Sequence, residues 1–336
     1  MRYFLTGATG FIGGYLAKLL RQEGHEVVAL VRTPSKAKAL AELGITLHEG
    51  DITDKESLRA PMSGADGIFH LAAWYKVGAN AKEKALAEEI NVQGTRNVLE
   101  MMKELTIPKG IYTSTLAIFS DTEGRVPDES YRYDGSKGFL SEYDRTKWMA
   151  HYEVALPMVR AGLPLVILQP GVVYGPDDPS SIGSTLRDYL QGKVPAIPKS
   201  ASFCWSHVED IARAHLQAME KGQPGETYII AGEVATLERT LKLAQQITGK
   251  PAPRLLLPKG LTRGLASFLD VVGSVLPLPS AYTAEGLRAA SATYLGDNAR
   301  AKRELGYNPR SLETGLRETL QHEMKQLGMT SGIGGA

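Results

Sequence analysis

The chain has 336 residues, and its 38 basic and 37 acidic residues leave a formal net charge of +1. Hydrophobic residues make up 43% of it, which is enough to bury a core in one or two domains of roughly 150 residues. The charge balance argues against a nucleic-acid binder, because such proteins depend on a basic surplus. The single cysteine, Cys204, excludes an intrachain disulfide and a cysteine-rich metal site, and it fits the reducing cytoplasm.

Neither a targeting segment nor a membrane span is predicted. Strand-like residues begin at Arg2, so we expect no signal peptide. No uninterrupted apolar run reaches the roughly 18 residues of a spanning helix. Charged residues and glycines interrupt the stretch Leu261–Leu278, which we interpret as a cap or core helix, with attachment to a membrane surface as the alternative. Residues 329–336 are predicted to form a flexible tail.

Short apolar runs alternate with helix-length periodic segments over the first half of the chain. The predicted strands are Arg2–Thr6, Glu26–Val31, Ile45–Glu49, Asp66–Leu71, Lys109–Thr113 and Leu165–Gln169. Helical spacing follows the first two of them, at Phe11–Glu23 and Pro34–Leu43. Short strands joined by helices imply βαβ units, whose right-handed crossovers build an α/β fold with a Rossmann-type doubly wound parallel sheet.

Beyond Pro170 the pattern loosens and becomes mainly helical. Helices are predicted at Ile182–Gln191 and Val208–Lys221, and strands at Phe203–His207 and Thr227–Ile230. We therefore predict a nucleotide-binding Rossmann domain formed by residues 1–173 and 206–232. A smaller, mainly helical substrate-binding region then comprises residues 174–205 and 233–328.

A glycine-rich turn, TGATGFIG at residues 6–13, joins the first predicted strand to the first predicted helix. Its first glycine permits a tight turn, the second lets the backbone approach a pyrophosphate, and the third allows the helix to pack close on the sheet. The helix N-terminus adds unpaired N–H groups and the positive end of the helix dipole. The turn predicts a dinucleotide site, with a turn that serves packing alone as the alternative; the predicted contacts are Gly7, Thr9, Gly10, Phe11, Ile12 and Gly13.

A cation follows the second predicted strand. Arg32 stands where many NAD-binding proteins carry an acidic residue for the ribose 2′-hydroxyl. A guanidinium can instead bind a 2′-phosphate, and Lys36 and Lys38 add positive charge nearby. We therefore predict NADP as the cofactor, with NAD as the alternative and an ordinary solvated arginine as the structural explanation.

Tyr143 and Lys147 stand four residues apart, which places a phenol and an ammonium on one face of a helix. A free tyrosine titrates near pH ~10, and a neighbouring ammonium favours its phenolate, so that the phenol can exchange a proton with a carbonyl. Alone, the spacing is more typical of an exposed helix pair. Three hydroxyl residues, Thr113, Ser114 and Thr115, end the fifth predicted strand, where the ligands of such sheets bind. Jointly the two features favour catalysis over turn capping.

In this order the motifs resemble those of the extended short-chain dehydrogenases/reductases, in the NAD(P)-dependent epimerase/dehydratase superfamily. The segments that carry the resemblance are TGATGFIG at 6–13, GDI at 50–52, HLAA at 70–73, NVQGT at 91–95, YTST at 112–115, YDRTK at 143–147, QPGVVYGP at 169–176, SHVEDIARAH at 206–215 and LGYNP at 305–309. The resemblance implies Thr115, Tyr143 and Lys147 as the active-site set, with Ser114 as the fallback hydroxyl. Predicted cofactor contacts that the local residues do not establish alone are Asp51, Ile52, Leu71, Ala72, Ala73, Asn91, Thr113, Pro170, Val172 and Val173.

Departures from the family pattern indicate the substrate. Nucleotide-sugar epimerases usually carry an arginine where this chain reads Phe203–Ser206, with two aromatic residues and no cation. This difference favours a less charged substrate, and the segment Val31–Pro34 resembles that of NADPH-dependent dihydroflavonol reductases and their bacterial relatives. We predict an NADPH-dependent reductase, or the reverse dehydrogenase, for a largely apolar or aromatic ketone or aldehyde. A nucleotide-sugar epimerase or dehydratase with tightly bound NAD, and a non-catalytic NADP-binding sensor, are the alternatives.

The remaining candidate residues receive structural interpretations. His70 and His207 are predicted to be core or strand-end histidines, and no metal site is predicted. Cys204 is expected to be a small buried side chain. Trp74 and Tyr75 either line the substrate pocket or are ordinary loop aromatics, and residues 177–178 are interpreted as a solvated turn. A homodimer is common in the family and is expected here.

Overall fold

The computed structural model describes residues 1–76, 78–262, 264–266 and 284–329. Most of the segment Leu261–Leu278 and nearly all of the predicted tail therefore lie outside the described residues. Within them, the strands in chain order are β1 (Arg2–Thr6), β2 (Glu26–Val31), β3 (Thr46–Glu49), β4 (Gly67–His70), β5 (Gly110–Thr113), β6 (Leu165–Pro170), β7 (Val172–Tyr174), β8 (Ala196–Pro198), β9 (Ser202–His207), β10 (Thr227–Ile230), β11 (Glu233–Thr236), β12 (Leu255–Leu257) and β13 (Thr293–Tyr294).

The described helices include two long continuous ones that each contain a π-helical segment. In chain order the α-helices are α1 (Phe11–Gln22), α2 (Lys38–Glu42), α3 (Glu56–Met62), α4 (Ala81–Glu88), α5 (Thr95–Glu104), α6 (Glu142–Met149), α7 (Leu156–Arg160), α8 (Ser181–Leu190), α9 (Val208–Lys221), α10 (Leu237–Thr248), α11 (Ala284–Ala290), α12 (Ala299–Leu305) and α13 (Leu312–Gln326). Residues Glu89–Gly94 join α4 to α5 as a π-helix, and Ala150–Ala155 join α6 to α7 in the same way. The two π segments pack against each other, and such segments are frequent at functional sites.

A seven-stranded parallel sheet forms the centre of the protein. Its strand order is β10-β6-β5-β4-β1-β2-β3, and every neighbouring pair is parallel. The order reverses between β1 and β4, which makes the carboxyl ends of these two strands the expected ligand crevice. The predicted Rossmann-type doubly wound sheet is thereby confirmed.

Helices cover both faces of this sheet, which explains the continuous apolar runs of its strands. On one face, Leu16 and Leu20 of α1 and Ile211 of α9 are buried against β1 and β6. On the other face, Leu99 of α5 and Val154 of the second π segment are buried against β4 and β5. All four residues of β4 are consequently buried.

Two small sheets accompany the helices of the C-terminal region. Strand β9 pairs with β7, β11 and β13, and β8 pairs with β12. The sequence did not predict β7, β8, β11, β12 and β13, because these two- to four-residue strands stand apart from the regular alternation of strands and helices in the first half of the chain. Strand β7 follows β6 and pairs with β9, so β9 lies beside the carboxyl end of the main sheet. No helix among the described residues is long and apolar enough to cross a membrane.

Candidate active site

The glycine turn adopts a conformation that only glycine tolerates at two positions. Gly7 has a φ of +77°, and a Cβ added to it would lie 2.6 Å from the Ala72 nitrogen. A Cβ on Gly13 would lie 2.0 Å from the Gly7 carbonyl oxygen, whereas one on Gly10 would meet only that oxygen, at 3.1 Å. The third glycine therefore allows the helix to pack on the turn itself, rather than on the sheet as the sequence suggested. The second glycine leaves its outer face open to a ligand.

Helix α1 begins at Gly10, directly after this turn, without a side-chain cap or an acidic residue in its first turn. The first N–H groups of a helix have no partner within the helix and carry the positive end of its dipole. An open backbone cradle at an uncapped helix N-terminus fits the pyrophosphate of a dinucleotide. Gly7, Gly10 and Gly13 are the residues that would hold it.

Arg32 follows β2 at the same edge of the sheet. Its side chain is exposed and, among the described residues, has no hydrogen-bond or ion-pair partner. Asp51 follows β3, and its Oδ1 accepts hydrogen bonds from the Thr53 N–H and hydroxyl groups, both at 2.9 Å. One oxygen of Asp51 thus caps the turn. Among the described residues, neither Arg32 nor Asp51 forms an ion pair.

The structure brings Thr115, Tyr143 and Lys147 to the carboxyl end of β5. Helix α6 begins after Ser141, whose hydroxyl caps it by accepting the Asp144 N–H. The Thr115 hydroxyl accepts the Ala117 N–H at 3.1 Å and acts to lower the pKa of the neighbouring Tyr143 phenol. Ser114, the fallback hydroxyl, is instead paired with His151 Nδ1 at 2.9 Å. Thr115 is therefore the hydroxyl that can orient a substrate oxygen against Tyr143.

Burial raises the pKa of Tyr143 well above that of a free tyrosine. The phenol of Tyr75, whose ring meets the Tyr143 ring edge-on at 4.8 Å, acts in the same direction, whereas the Thr115 hydroxyl acts in the opposite one. Tyr143 is consequently a neutral phenol at neutral pH. A neutral phenol is an acid, able to donate a proton to an oxygen that acquires negative charge. Tyr75 adjoins the catalytic candidate, which favours the pocket-lining interpretation.

Lys147 is buried behind Tyr143 on the same helix. Its Nζ donates to the Thr113 carbonyl oxygen at 2.8 Å and to the Tyr112 hydroxyl at 3.1 Å. Burial lowers the pKa of Lys147 to about 7. Sequence reasoning missed Tyr112, although it stands beside the hydroxyl run that was singled out.

Two of the predicted cofactor residues use their polar side-chain groups within the protein. The Asn91 amide accepts the Trp74 N–H at 2.7 Å and donates to the Trp74 carbonyl and the Thr146 hydroxyl. It thereby fixes the loop after β4 against α6. The Thr113 hydroxyl is paired with His215 at 2.8 Å. Direct contacts of Asn91 and Thr113 with a cofactor stay predictions.

The other predicted cofactor residues follow the carboxyl ends of the main strands. Ile52 is buried after β3, and Leu71, Ala72 and Ala73 follow β4. Pro170 ends β6, while Val172 and Val173 begin β7. Thr9, Phe11 and Ile12 lie on the glycine turn and the first turn of α1. All of these positions belong to the expected ligand edge of the sheet.

The interpretation of residues 177–178 as a solvated turn is wrong for one of the two. Asp178 is buried and accepts hydrogen bonds from the Ser180 N–H and hydroxyl groups, so only Asp177 of that pair is exposed. Phe203 and Trp205 are also buried, and the Trp205 indole donates to the Ala235 carbonyl oxygen at 3.0 Å. These aromatic rings belong to the hydrophobic core around β9.

The predicted burial of two histidines and of the cysteine is confirmed. His70 and His207 are buried at the ends of β4 and β9, and Cys204 is a buried free thiol, as expected. The imidazole of His207 lies near the carboxylates of Glu209 and Glu318, a grouping that a metal ion could use. The Arg310 guanidinium, however, binds both carboxylates and supplies the positive charge there.

Helix α6 also buries a carboxyl group next to Tyr143. Asp144 accepts hydrogen bonds from the Ser141 hydroxyl at 2.6 Å and from the Tyr294 hydroxyl at 2.9 Å. Burial is the largest influence and raises the pKa of Asp144 to about 7. The Tyr294 hydroxyl lies on β13, so this carboxyl group links α6 to β13.

We expect Asp144→Asn to change how stability depends on pH. The folded protein retains the Asp144 proton up to about pH 7, whereas the unfolded chain loses it near pH ~4. The wild-type free energy of unfolding should therefore fall, by an amount on the order of a few kcal/mol, between these two pH values. Chemical unfolding at several pH values should show a gain of the variant over the wild type that grows through this window.

The control is exposed Asp134, whose pKa is lowered by hydrogen bonds from the side chain and backbone of Ser136. Asp134→Asn should give a small change of the opposite sign. A constant difference between Asp144→Asn and the wild type at all pH values would contradict the account of this carboxyl group.

A Rossmann sheet with a glycine cradle, and a Thr–Tyr–Lys set at its carboxyl edge, define an NAD(P)-dependent oxidoreductase of the extended short-chain dehydrogenase/reductase type. The family model "NAD dependent epimerase/dehydratase family" matches residues 3–231. This chain belongs to that family.

Its relatives include reductases. A putative dihydroflavonol 4-reductase of Synechocystis is 31% identical over 325 residues, which cover 95% of this chain and 93% of that one. Sterol demethylase protein B of Methylococcus capsulatus is 30% identical over 315 residues, which cover 93% and 94% of the two chains. Among solved structures, that of gox2253 superimposes with a TM-score of 0.84 at 30% identity, and the match covers 98% of this chain and 99% of that one.

Proposed function

We propose that the protein is an NADPH-dependent reductase that converts a ketone or aldehyde of a largely apolar or aromatic small molecule into an alcohol. The observation that carries this proposal is the partly buried, neutral Tyr143 phenol, which lies beside the Thr115 hydroxyl with the buried Lys147 one turn along the same helix. This arrangement suits the donation of a proton to a carbonyl oxygen. NADPH, when bound, supplies the hydride to the carbonyl carbon.

The residues of the chain then have distinct tasks. Thr115 donates to the carbonyl oxygen and orients it against the Tyr143 phenol. Tyr143 gives up its proton as the oxygen becomes an alkoxide, and the Lys147 ammonium stabilises the phenolate that remains. Tyr75 covers the phenol from the side and helps to exclude water. In the reverse direction the same groups would remove a proton from an alcohol.

A cavity of about 310 Å³ lies beside the start of α6. Its lining combines apolar residues such as Leu140, Leu287 and Ala292 with polar and charged ones, which include Thr262 and Arg288. Lys259, which also lines it, is paired with Asp121 at 3.1 Å. Strand β9 carries no cation, and its aromatic side chains are buried, so it offers no partner for a sugar diphosphate. The names of two relatives refer to a dihydroflavonol and to a sterol, and both compounds accord with the proposed substrate class.

The preference for NADPH is proposed from Arg32, and it has a direct test. If the exposed guanidinium binds the 2′-phosphate, Arg32→Ala should weaken NADPH binding about tenfold to a hundredfold and leave NADH binding unchanged. Fluorescence titration of both nucleotides against the wild type and the variant measures this. Arg21→Ala, on the far end of α1, serves as the control.

Equal affinity of the wild type for NADPH and NADH would remove the NADPH assignment and favour the epimerase or dehydratase with tightly bound NAD. The homodimer, the cytoplasmic location and the division into two regions stay predictions.

A further inference from the structure

A row of polar side chains crosses three neighbouring strands of the main sheet. Thr6 of β1 is in register with His70 of β4, and His70 is in register with Tyr112 of β5. All three side chains are at most 1% exposed. Because buried polar groups must be hydrogen-bonded, they have to find partners among their neighbours.

Hydrogen bonds and one further hydroxyl contact connect these side chains to Lys147. The Thr95 hydroxyl at the start of α5 is close enough to Tyr112 to act on the pKa of that phenol, in the lowering direction. The successive contacts are Lys147 Nζ to Tyr112 Oη at 3.1 Å, Thr95 Oγ1 to His70 Nε2 at 3.1 Å, His70 Nδ1 to Thr6 Oγ1 at 2.8 Å, and the Ala72 N–H to Thr6 Oγ1 at 3.2 Å. The end of this row at Thr6 therefore contacts the backbone of Ala72, against which Gly7 packs.

The ammonium group fixes the direction of its own bond to Tyr112. An ammonium only donates, so the Tyr112 oxygen accepts from Lys147. At the other end, the Ala72 N–H donates to the Thr6 oxygen. Burial, with a smaller effect of the Lys147 charge, lowers the pKa of His70 to about 3, so this imidazole is neutral.

We propose that Tyr112 is a positioning residue that fixes both the place and the protonation state of Lys147, and that Thr95, His70 and Thr6 hold Tyr112 in turn. This proposal rests on the proposed function, because it assumes that the Lys147 ammonium stabilises the Tyr143 phenolate. Removal of the Tyr112 oxygen would leave the Thr113 carbonyl as the protein acceptor of this ammonium among the described contacts.

No anionic side chain offsets this loss among the groups that face Lys147. From the sheet these groups are His70 and Tyr112, and from its own helix they are Tyr143 and His151. Burial lowers the pKa of His151 to about 3, so both imidazoles are neutral. The ammonium is therefore stabilised by oriented dipoles, and the Tyr112 hydroxyl is one of the two in direct contact with it.

The test is a pH titration of Lys147 in the full protein. The Cε chemical shift of Lys147, assigned by its absence in Lys147→Arg, reports the pKa directly and requires no substrate. Tyr112→Phe should lower that pKa by about one unit, because a hydrogen bond to a charged group is lost. The alkaline limb of the pH profile for kcat/KM should shift down by the same amount. Tyr228→Phe, at a buried tyrosine of β10, is the matched control and should shift neither.

A second pair of variants tests the role of the Thr95 hydroxyl. Thr95→Val should lower the Lys147 pKa by a smaller amount, and Thr95→Ser, which keeps the hydroxyl, should restore it. If Tyr112→Phe does not fold, the Lys147 pKa in the two Thr95 variants provides the test. An unchanged Lys147 titration in a folded Tyr112→Phe, or an equal shift in Tyr228→Phe, would overturn the proposal. Absence of any reductase activity would refute the proposed function and leave the titration result standing.

Discussion

Tyr143→Phe is expected to lower the turnover number about 10²–10⁴-fold, the usual contribution of a positioned acid, while the affinity for NADPH is unchanged. The variant loses the only atom that donates the proton, but its ring still fills the space between Thr115 and Tyr75. Stopped-flow single turnovers with saturating NADPH separate this loss of chemistry from any loss of binding.

The control for this variant is Tyr75→Phe. Tyr75 presents a second phenol beside the site, hydrogen-bonded to Ser181, and its ring contacts Tyr143 edge-on. Its substitution should reduce turnover by much less, because the proton donor is retained. Normal turnover in Tyr143→Phe, or equal losses in the two variants, would contradict the assignment of Tyr143 as the acid.

Gly13→Ala is expected to abolish nucleotide binding and to destabilise the fold. The added Cβ would lie 2.0 Å from the Gly7 carbonyl oxygen, so either the glycine turn or helix α1 has to move. Overpacking of this kind costs about 1–3 kcal/mol, and a displaced turn no longer presents its N–H groups to a pyrophosphate. Thermal unfolding and NADPH titration measure the two effects separately.

The next residue provides a matched control. A Cβ on Gly14 would have its nearest neighbour, the Ala8 carbonyl oxygen, at 3.7 Å, which is an ordinary contact. Gly14→Ala should therefore bind NADPH normally and gain up to about 1 kcal/mol from helix propensity. Retained nucleotide affinity in Gly13→Ala would show that the turn is not the pyrophosphate site.

The parts of the fold that the sequence predicts well are those with long or repeated patterns. The bounds of β1, β2, β10 and α9 agree with the predicted ones. By contrast, the helix predicted over Pro34–Leu43 is a 3-10 turn followed by the short α2. Neither piece has a side-chain cap, and the backbone departs from helical angles at Ala37. Helical periodicity alone does not reveal such a break.

The active-site set was accessible from sequence because its members occur in recognisable local motifs. Thr115, Tyr143 and Lys147 each stand at a fixed place in a strand end or a helix turn. The partners of Lys147 beyond Thr113 were not accessible, since Tyr112, Thr95 and His70 meet only through the strand register and the start of α5. A buried hydroxyl chain leaves no spacing pattern in the sequence.

The burial of individual side chains was a second feature that could not be predicted from the sequence. Phe203 and Trp205 served in the sequence as an indication of a less charged substrate, and the structure shows that both pack into the core of the C-terminal region. Two polar residues behave similarly: Asp178 is buried although it stands in a turn, and Asp144 is buried although it stands on a helix of charged residues. In each case tertiary contacts from distant segments decide exposure, which local composition does not specify.

The central claim is most directly tested by the stoichiometry of NADPH consumption with a panel of aromatic and alicyclic ketones. One NADPH should be oxidised for each alcohol formed, and NADH should be a poorer donor. Tyr143→Phe should slow the oxidation of NADPH and the formation of the alcohol equally, by about 10²–10⁴-fold. Purified protein that carries firmly bound NAD, and that turns over a sugar nucleotide without net consumption of NADPH, would contradict the central claim.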